Sequence, residues 1–363
     1  MVSIRCILSI FLYNFISSTS SVQSVNFDNT NWSSDQPRVE SEKQDHTRDY
    51  LKKINKLVVK TIQAPPEMPR GPTPPESCPE NTIPTKKDVV IRARSLIQTS
   101  DQTVRTEKAY LQLQGGIYYG VEAIMDVWAP HVDNSNKTSE SLIQLEMFNF
   151  DNGNRNTIGV GWQVNPELYG DDATRLTIYW EKYTYYNQNT TFCYNDKCSA
   201  GFVQTNNTIR LGEKFITISS YVKNGPHFAF PVSMYKDSQT KNWWLIVNEI
   251  VVGYWPWQLF SNDINGSANG VQLGGKITTT TTNPTMPQMG SGHFPKEGYG
   301  KAACIQAIQA YLLMDRKDPE KPLKIRVLNT KPKCYGLEVD TKYKALGNYF
   351  YYGGPGGADP NCN

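Results

Sequence analysis

The sequence predicts an all-β protein: an antiparallel β-sandwich, preceded by a small helical segment and a proline-rich tether. Two observations carry this. From about residue 105 onward apolar and polar residues alternate with a period of two, as strands with one buried face require. Clusters of Asn, Gly, Asp and Pro interrupt the alternation at short intervals, with no convincing helical pattern between them. The composition agrees, since 21 Tyr, 13 Phe and 8 Trp suit a pleated, half-buried surface.

The strands are expected at residues 117–128, 142–148, 176–180, 215–218, 243–248 and 250–255. Turns are expected at 151–154 and 261–266, where Asp-Asn-Gly-Asn and Ser-Asn-Asp-Ile-Asn-Gly stand. No internal repeat is visible, which disfavours a propeller.

Residues 1–23 read as a signal peptide. Arg5 supplies the positive start, an apolar run extends from Cys6 to Ile16, and a Ser/Thr-rich stretch follows. The run is shorter than the ~20 residues a membrane span needs. Residues 24–104 hold one helical pattern within 38–60, with Leu51, Ile54, Leu57 and Val58 at three- and four-residue spacing. A burst of prolines at 65, 66, 69, 72, 74 and 75 comes next and favours extended polyproline II. Helix and tether together suit a propeptide, or equally a disordered arm. The large β domain occupies 105–363.

Charge excludes one function class. Thirty-seven basic and 34 acidic side chains give a net +3, without the basic face a nucleic-acid binder shows. Five N-glycosylation sequons, at Asn31, Asn136, Asn189, Asn206 and Asn265, accord with a secreted chain, in the apoplast, cell wall or vacuole. Six cysteines remain beyond the signal peptide: Cys78, Cys193, Cys198, Cys304, Cys334 and Cys362. Disulfides are expected in that compartment. The short separation of Cys193 and Cys198 makes a local hairpin staple plausible. No Cys/His spacing suggests a metal, and no cofactor motif is present. HExxH, GxSxG and P-loop signatures are absent, and Gly290-Ser-Gly-His293 reads as a glycine-rich turn.

Six motifs in order are more specific. They are GWQVNPELYG at 161–170, GFVQTN at 201–206, NWWL at 242–245, GYWP at 253–256, QMGSGHFP at 288–295 and NYFYYGGPG at 348–356. Together they closely resemble the neprosin family of plant proteins, whose type member is a prolyl endopeptidase. The resemblance covers about residues 105–363, and residues 40–95, with CPENTIP at 78–84, look like the family's activation peptide. It implies an antiparallel sandwich made as a zymogen, with disulfides Cys193–Cys198 and Cys334–Cys362. Cys78 and Cys304 are then left without assigned partners.

Family peptidases resemble glutamic peptidases, which use two Glu side chains: one to take a proton from water, the other as acid or oxyanion stabiliser. Aligned on the motifs, the first position is Gly159, and the second is Lys276, or Gln272 if the alignment shifts. None of the three is an acid. Along the same strands the same-face residues, 155, 157, 161 and 163 and then 272, 274, 278 and 280, are not acidic either. Glu122, Glu146 and Glu249 are the candidate acids on other strands, and Glu297 resembles a family glutamate of structural role.

The resemblance therefore points to a pseudopeptidase that binds extended peptides, proline-rich ones among them, or a cell-wall ligand, with Trp162, Trp180 and Trp255 as candidate cleft aromatics. Its rivals are an acid prolyl endopeptidase using another carboxylate and a carbohydrate-binding wall protein. Neither nucleic acid nor, once the signal is removed, a membrane is an expected partner.

Overall fold

The computed structural model describes residues 104–362, apart from 115, 134–135, 199–200, 223–224, 261–265, 281–284, 315–323, 341–346 and 359–361. The signal peptide, the helical pattern, the proline burst, Cys78, Asn31 and Asn265 lie outside the described residues.

The described chain is built almost wholly of strands: β1 Val104–Gln114, β2 Gly120–Asp126, β3 Thr138–Phe148, β4 Arg155–Val164, β5 Arg175–Thr184, β6 Asn189–Tyr194, β7 Val203–Gln204, β8 Ala229–Lys236 and β9 Trp243–Val247. They continue with β10 Ile250–Trp255, β11 Gly270–Thr280, β12 Thr285–Met286, β13 Ala303–Tyr311, β14 Lys324–Asn329, β15 Gly336–Asp340, β16 Tyr349–Gly353 and β17 Gly357–Ala358. One sheet runs β14-β1-β11-β3-β4-β5-β6, and the other runs β15-β16-β13-β2-β8-β9-β10-β7. Every pairing between the strands is antiparallel.

Alternation decides what each sheet buries. In the seven-stranded sheet the inward row Leu111, Leu273, Ile143, Val160 and Ile178 crosses five strands in register. It joins Val121, Met125, Val232, Met234, Leu245 and Ile305 of the other sheet in one continuous core. Two hydrogen bonds cross between the layers. Trp162 Nε1 donates to the Asp126 carbonyl at 2.8 Å, and Tyr352 Oη donates to Ser141 Oγ at 2.6 Å. A slip of one residue inside either sheet would turn these donors outward, so the pairing register is strongly specified.

The expected segment 215–218 is the one strand the structure does not form; it runs as bends and loop beside Thr174. Phe215 and Ile218 still pack on the core, so the alternation there records burial of a loop. The helix α1, Pro166–Tyr169, interrupts the run of strands inside the first motif, and its N-cap Asn165 accepts from Leu168 N at 3.0 Å.

Both disulfides implied by the resemblance are formed, Cys193–Cys198 and Cys334–Cys362. Cys304 is a buried free thiol, and burial raises its pKa well above that of an ordinary thiol, so it is an inert one. It lies beside Asp126. That carboxyl accepts at one oxygen from Trp128 Nε1 at 2.7 Å and from Cys304 N at 2.8 Å. Its other oxygen is buried without a partner among the described residues, and burial pushes the carboxyl up to about 8.

Candidate functional site

Gly159, Gln272 and Lys276 all sit on the outer face of the seven-stranded sheet, opposite the core. Two cross-strand rows define their surroundings. One reads Gln112, Gln272, Gln144, Gly159, Tyr179 and Tyr194 from β1 to β6. The other reads Lys108, Lys276, Glu140, Gln163 and Arg175 from β1 to β5.

The rows meet at Tyr179. A Cβ placed on Gly159 would come within 2.2 Å of the Tyr179 ring, so the ring fills the space a side chain at 159 would need. The ammonium of Lys276 lies over the same ring, 5.7 Å from its centroid. Lys276 Nζ pairs with Glu140 Oε2, and Glu140 is almost fully buried. Tyr194 Oη donates to the other Glu140 oxygen at 3.1 Å. A chain of Gly159, Tyr179, Lys276, Glu140 and Tyr194 therefore closes the two expected catalytic positions on one another. Burial raises the Tyr179 and Tyr194 phenols well above the ordinary tyrosine range, with nearby negative charge adding to it. Both stay neutral donors.

Glu140 was hidden from periodicity along a single strand. It is neither two nor four residues from position 159 or 276 but directly across the ladder from Lys276, and pairing register is what a single strand's pattern cannot supply. Of the acids named as possible replacements, only Glu146 reaches this face. It is two residues along β3 from Gln144 and accepts from Gln272 Nε2 at 2.7 Å, and burial raises its pKa. Glu122 lies in the other sheet and accepts from Tyr311 Oη at 2.8 Å. Glu249 stands exposed in the tight β9–β10 turn with φ 65°. Glu297 binds the loop that carries it, taking His293 Nδ1 at 2.9 Å and Phe294 N at 3.2 Å.

The candidate cleft aromatics are corrected by the structure. Trp162, Trp180 and Trp255 are 0%, 6% and 0% exposed and belong to the core between the sheets. Trp162 and Trp180 follow from parity: residues 160, 162 and 164 face inward whenever 159 faces out, and the register carries the same face to Trp180 through Ile158. Trp255 packs edge-on against Phe202 with 4.8 Å between ring centroids. The aromatics that do line the site are tyrosines, at 110, 179 and 194, each in a partly polar setting that suits a phenol. Among the sequons, Asn136 and Asn189 are exposed, while Asn206 is half-buried and accepts from Thr208 N at 2.8 Å. Among the described residues no group of three or more His, Cys, Asp or Glu side chains could hold a metal. No described helix is long and apolar enough to cross a membrane.

The class of protein defined here is a two-sheet antiparallel β-sandwich with these positions on the outer face of its seven-stranded sheet. The neprosin family model matches residues 135–355, and the chain belongs to the neprosin family. Among solved structures it is similar to scytalido-glutamic peptidase with a transition-state analog inhibitor, at 10% identity, covering 69% of this chain and 98% of that one with a TM-score of 0.34. It is also similar to SCP-B, a member of the eqolisin family of peptidases, in complex with the tripeptide Ala-Ile-His, at 10% identity over 69% and 98% with a TM-score of 0.32. The CBM40 of Ruminococcus gnavus IT-sialidase bound to α2,6-sialyllactose follows at 11% identity over 48% and 90%, with a TM-score of 0.21. Likenesses this slight carry no argument about this chain, whose fold is read from its own strands.

Proposed function

We propose that this neprosin-family chain is a secreted protein without peptidase activity that binds extended peptide chains on the outer face of its seven-stranded sheet. The observation that carries the reading is the state of the two family glutamate positions. Glycine at 159 has no group that exchanges a proton, and its space is taken by the Tyr179 ring. Lysine at 276 is a cation already neutralised by Glu140. Acid–base work on a bound water needs one group that accepts a proton and one that delivers it. Neither position supplies the group that accepts.

The test is direct. Full-length protein, untreated and after an external protease has trimmed the N-terminal segment, is incubated at acidic pH with proline-containing peptides. Mass spectrometry should find the peptides intact in both cases, and turnover above the buffer control overturns the reading.

A second reading has one specific observation behind it. Glu146 and Gln272 form a carboxyl–amide pair on the same face, and the buried carboxyl holds its proton more tightly than an ordinary glutamate. An acid peptidase built on that pair would lose its activity in Glu146→Gln. Activity that survives that substitution belongs to neither reading. The carbohydrate-binding alternative draws no support from Trp162, Trp180 and Trp255, which are core.

A further inference from the structure

The charges on the outer face are unevenly spread. On β14 the residues facing out, Lys324 and Arg326, are exposed and basic, and Arg326 stands beside Gln112 of β1. On β1 the outward residues are Thr106, Lys108, Tyr110, Gln112 and Gln114, and on β11 they are Gly270, Gln272, Gly274, Lys276 and Thr278. Three consecutive strands thus present four cations and no acid on this face among the described residues. The acids of the face, Glu140, Glu146 and Glu181, lie on β3 and β5, and two of them are already paired, Glu140 with Lys276 and Glu181 with Arg155 at 2.9 Å.

Lys108 and Lys276 stand directly opposite each other on neighbouring strands, each with its ammonium over a tyrosine ring. Lys108 has no carboxylate in contact among the described residues. Burial lowers its pKa and the neighbouring charge of Lys276 adds to this, with Glu146 and Glu181 opposing them more weakly. Beside them Gln272 is 6% exposed and turns a buried Oε1 with no partner toward the same face. An orphan acceptor of this kind calls for an N–H or O–H donor.

We infer that the β14-β1-β11 flank of the outer face is an anion subsite that holds a carboxylate of an extended peptide between Lys108 and Lys276, with a backbone N–H of the same peptide on Gln272 Oε1. The inference rests on the binding reading above and names the ligand class for it. Glu140 shows how a carboxylate sits on Lys276 from the β3 side. A ligand carboxylate takes the corresponding place on the β1 side, where Lys108 supplies the second ammonium, and Arg326 and Lys324 extend the positive field outward. Either the C-terminal carboxylate or an Asp or Glu side chain carries this chemistry, and the extended peptide of the binding reading above supplies the N–H for the orphaned amide acceptor.

Fluorescence anisotropy with the full-length protein tests it, using one labelled proline-rich peptide in three forms: free C-terminal acid, C-terminal amide, and amide with an internal Asp. Either acidic form should bind about tenfold or more tightly than the neutral amide, with the advantage shrinking as salt rises. Which acidic form wins tells the two carboxylate sources apart. Lys108→Gln should remove most of that advantage while leaving the neutral amide unchanged, and Lys108→Glu should turn the preference toward a Lys-bearing peptide. Circular dichroism of each variant confirms that it is folded. Equal binding of all three forms overturns the inference, as does an unchanged preference in folded Lys108→Gln. Binding of polygalacturonate in place of peptide also overturns it. The same samples are followed by mass spectrometry: cleavage of the peptides removes the non-catalytic reading alone, whereas intact peptides bound without acid preference remove the subsite alone.

Discussion

A side chain at position 159 meets the Tyr179 ring before it meets anything else, and that contact sets what mutagenesis can restore. The backbone is no obstacle, since Gly159 is not among the positive-φ glycines. The obstacle is the ring. Gly159→Glu alone should cost about 1–3 kcal/mol by overpacking, measured by chemical denaturation, and the double change Gly159→Glu with Lys276→Glu should stay inactive. Adding Tyr179→Ala to the pair is the variant expected to show first activity. Lys276→Met leaves Glu140 buried against Tyr194 without its cation and should cost about 3 kcal/mol, most of it recovered when Glu140→Gln accompanies it. Asp126 offers a pH test at the same scale. Its folded pKa is raised from 3.8 to about 8, so its neutral form is the one that folds. The stability it gives is fully present below about pH 4 and is lost as pH rises toward 8, with a slope of up to about 1.4 kcal/mol per pH unit. Asp126→Asn, which keeps an acceptor for Trp128 and Cys304, should remove that slope. Equal pH dependence in wild type and variant would show the carboxyl to be ionised in the fold.

At the scale of elements, the sequence made the strands legible and left their pairing hidden. Alternation marks β2, β3, β5, β9 and β10 because each has one face in the core, and it fails at 215–218, where a loop buries Phe215 and Ile218 without a ladder. Positions 159 and 276, with 272 as the alternative, come from alignment on the resemblance, and the structure adds that all three share one face of the sheet. Glu140 and Tyr194 were not legible, because they come from β3 and β6 and only the ladder order β11-β3-β4-β5-β6 brings them together. The tryptophans were misread for a related reason: an aromatic in a motif says nothing of its face until parity is counted from a residue of known side. The disulfides belong to this scale as well. Cys334–Cys362 ties the segment before β15 to the end of the chain across 28 residues, and both cysteines are buried. Closing such a loop is worth about 3–4 kcal/mol in the chain-entropy model. Cys334→Ser with Cys362→Ser should therefore lower the melting temperature by several degrees, and Cys193→Ser with Cys198→Ser, which opens a loop of only 5, should lower it less.

For the whole molecule the consequence is one of maturation. A zymogen that activates itself needs its own catalytic pair, in the same chain or in a neighbouring copy. On the alignment that puts the family pair at 159 and 276, one position is filled by a ring and the other is an ion-paired lysine. Lowering the pH does not repair this. Protonating Glu140 would release Lys276 as a free cation, which is no base, and Gly159 has nothing to protonate. Protonating Glu146, the outer-face acid whose pKa burial has already raised, removes a charge without creating an acceptor. The full-length protein held at acidic pH should thus remain at its starting mass over days, at low and high concentration alike, while a trace of an external endopeptidase should shorten it near the boundary expected at about residue 104. Mass spectrometry of the two incubations reads the difference. Conversion without added protease at a rate independent of concentration would mean that the chain cuts itself, and Glu146→Gln would then show whether the Glu146–Gln272 pair is the agent.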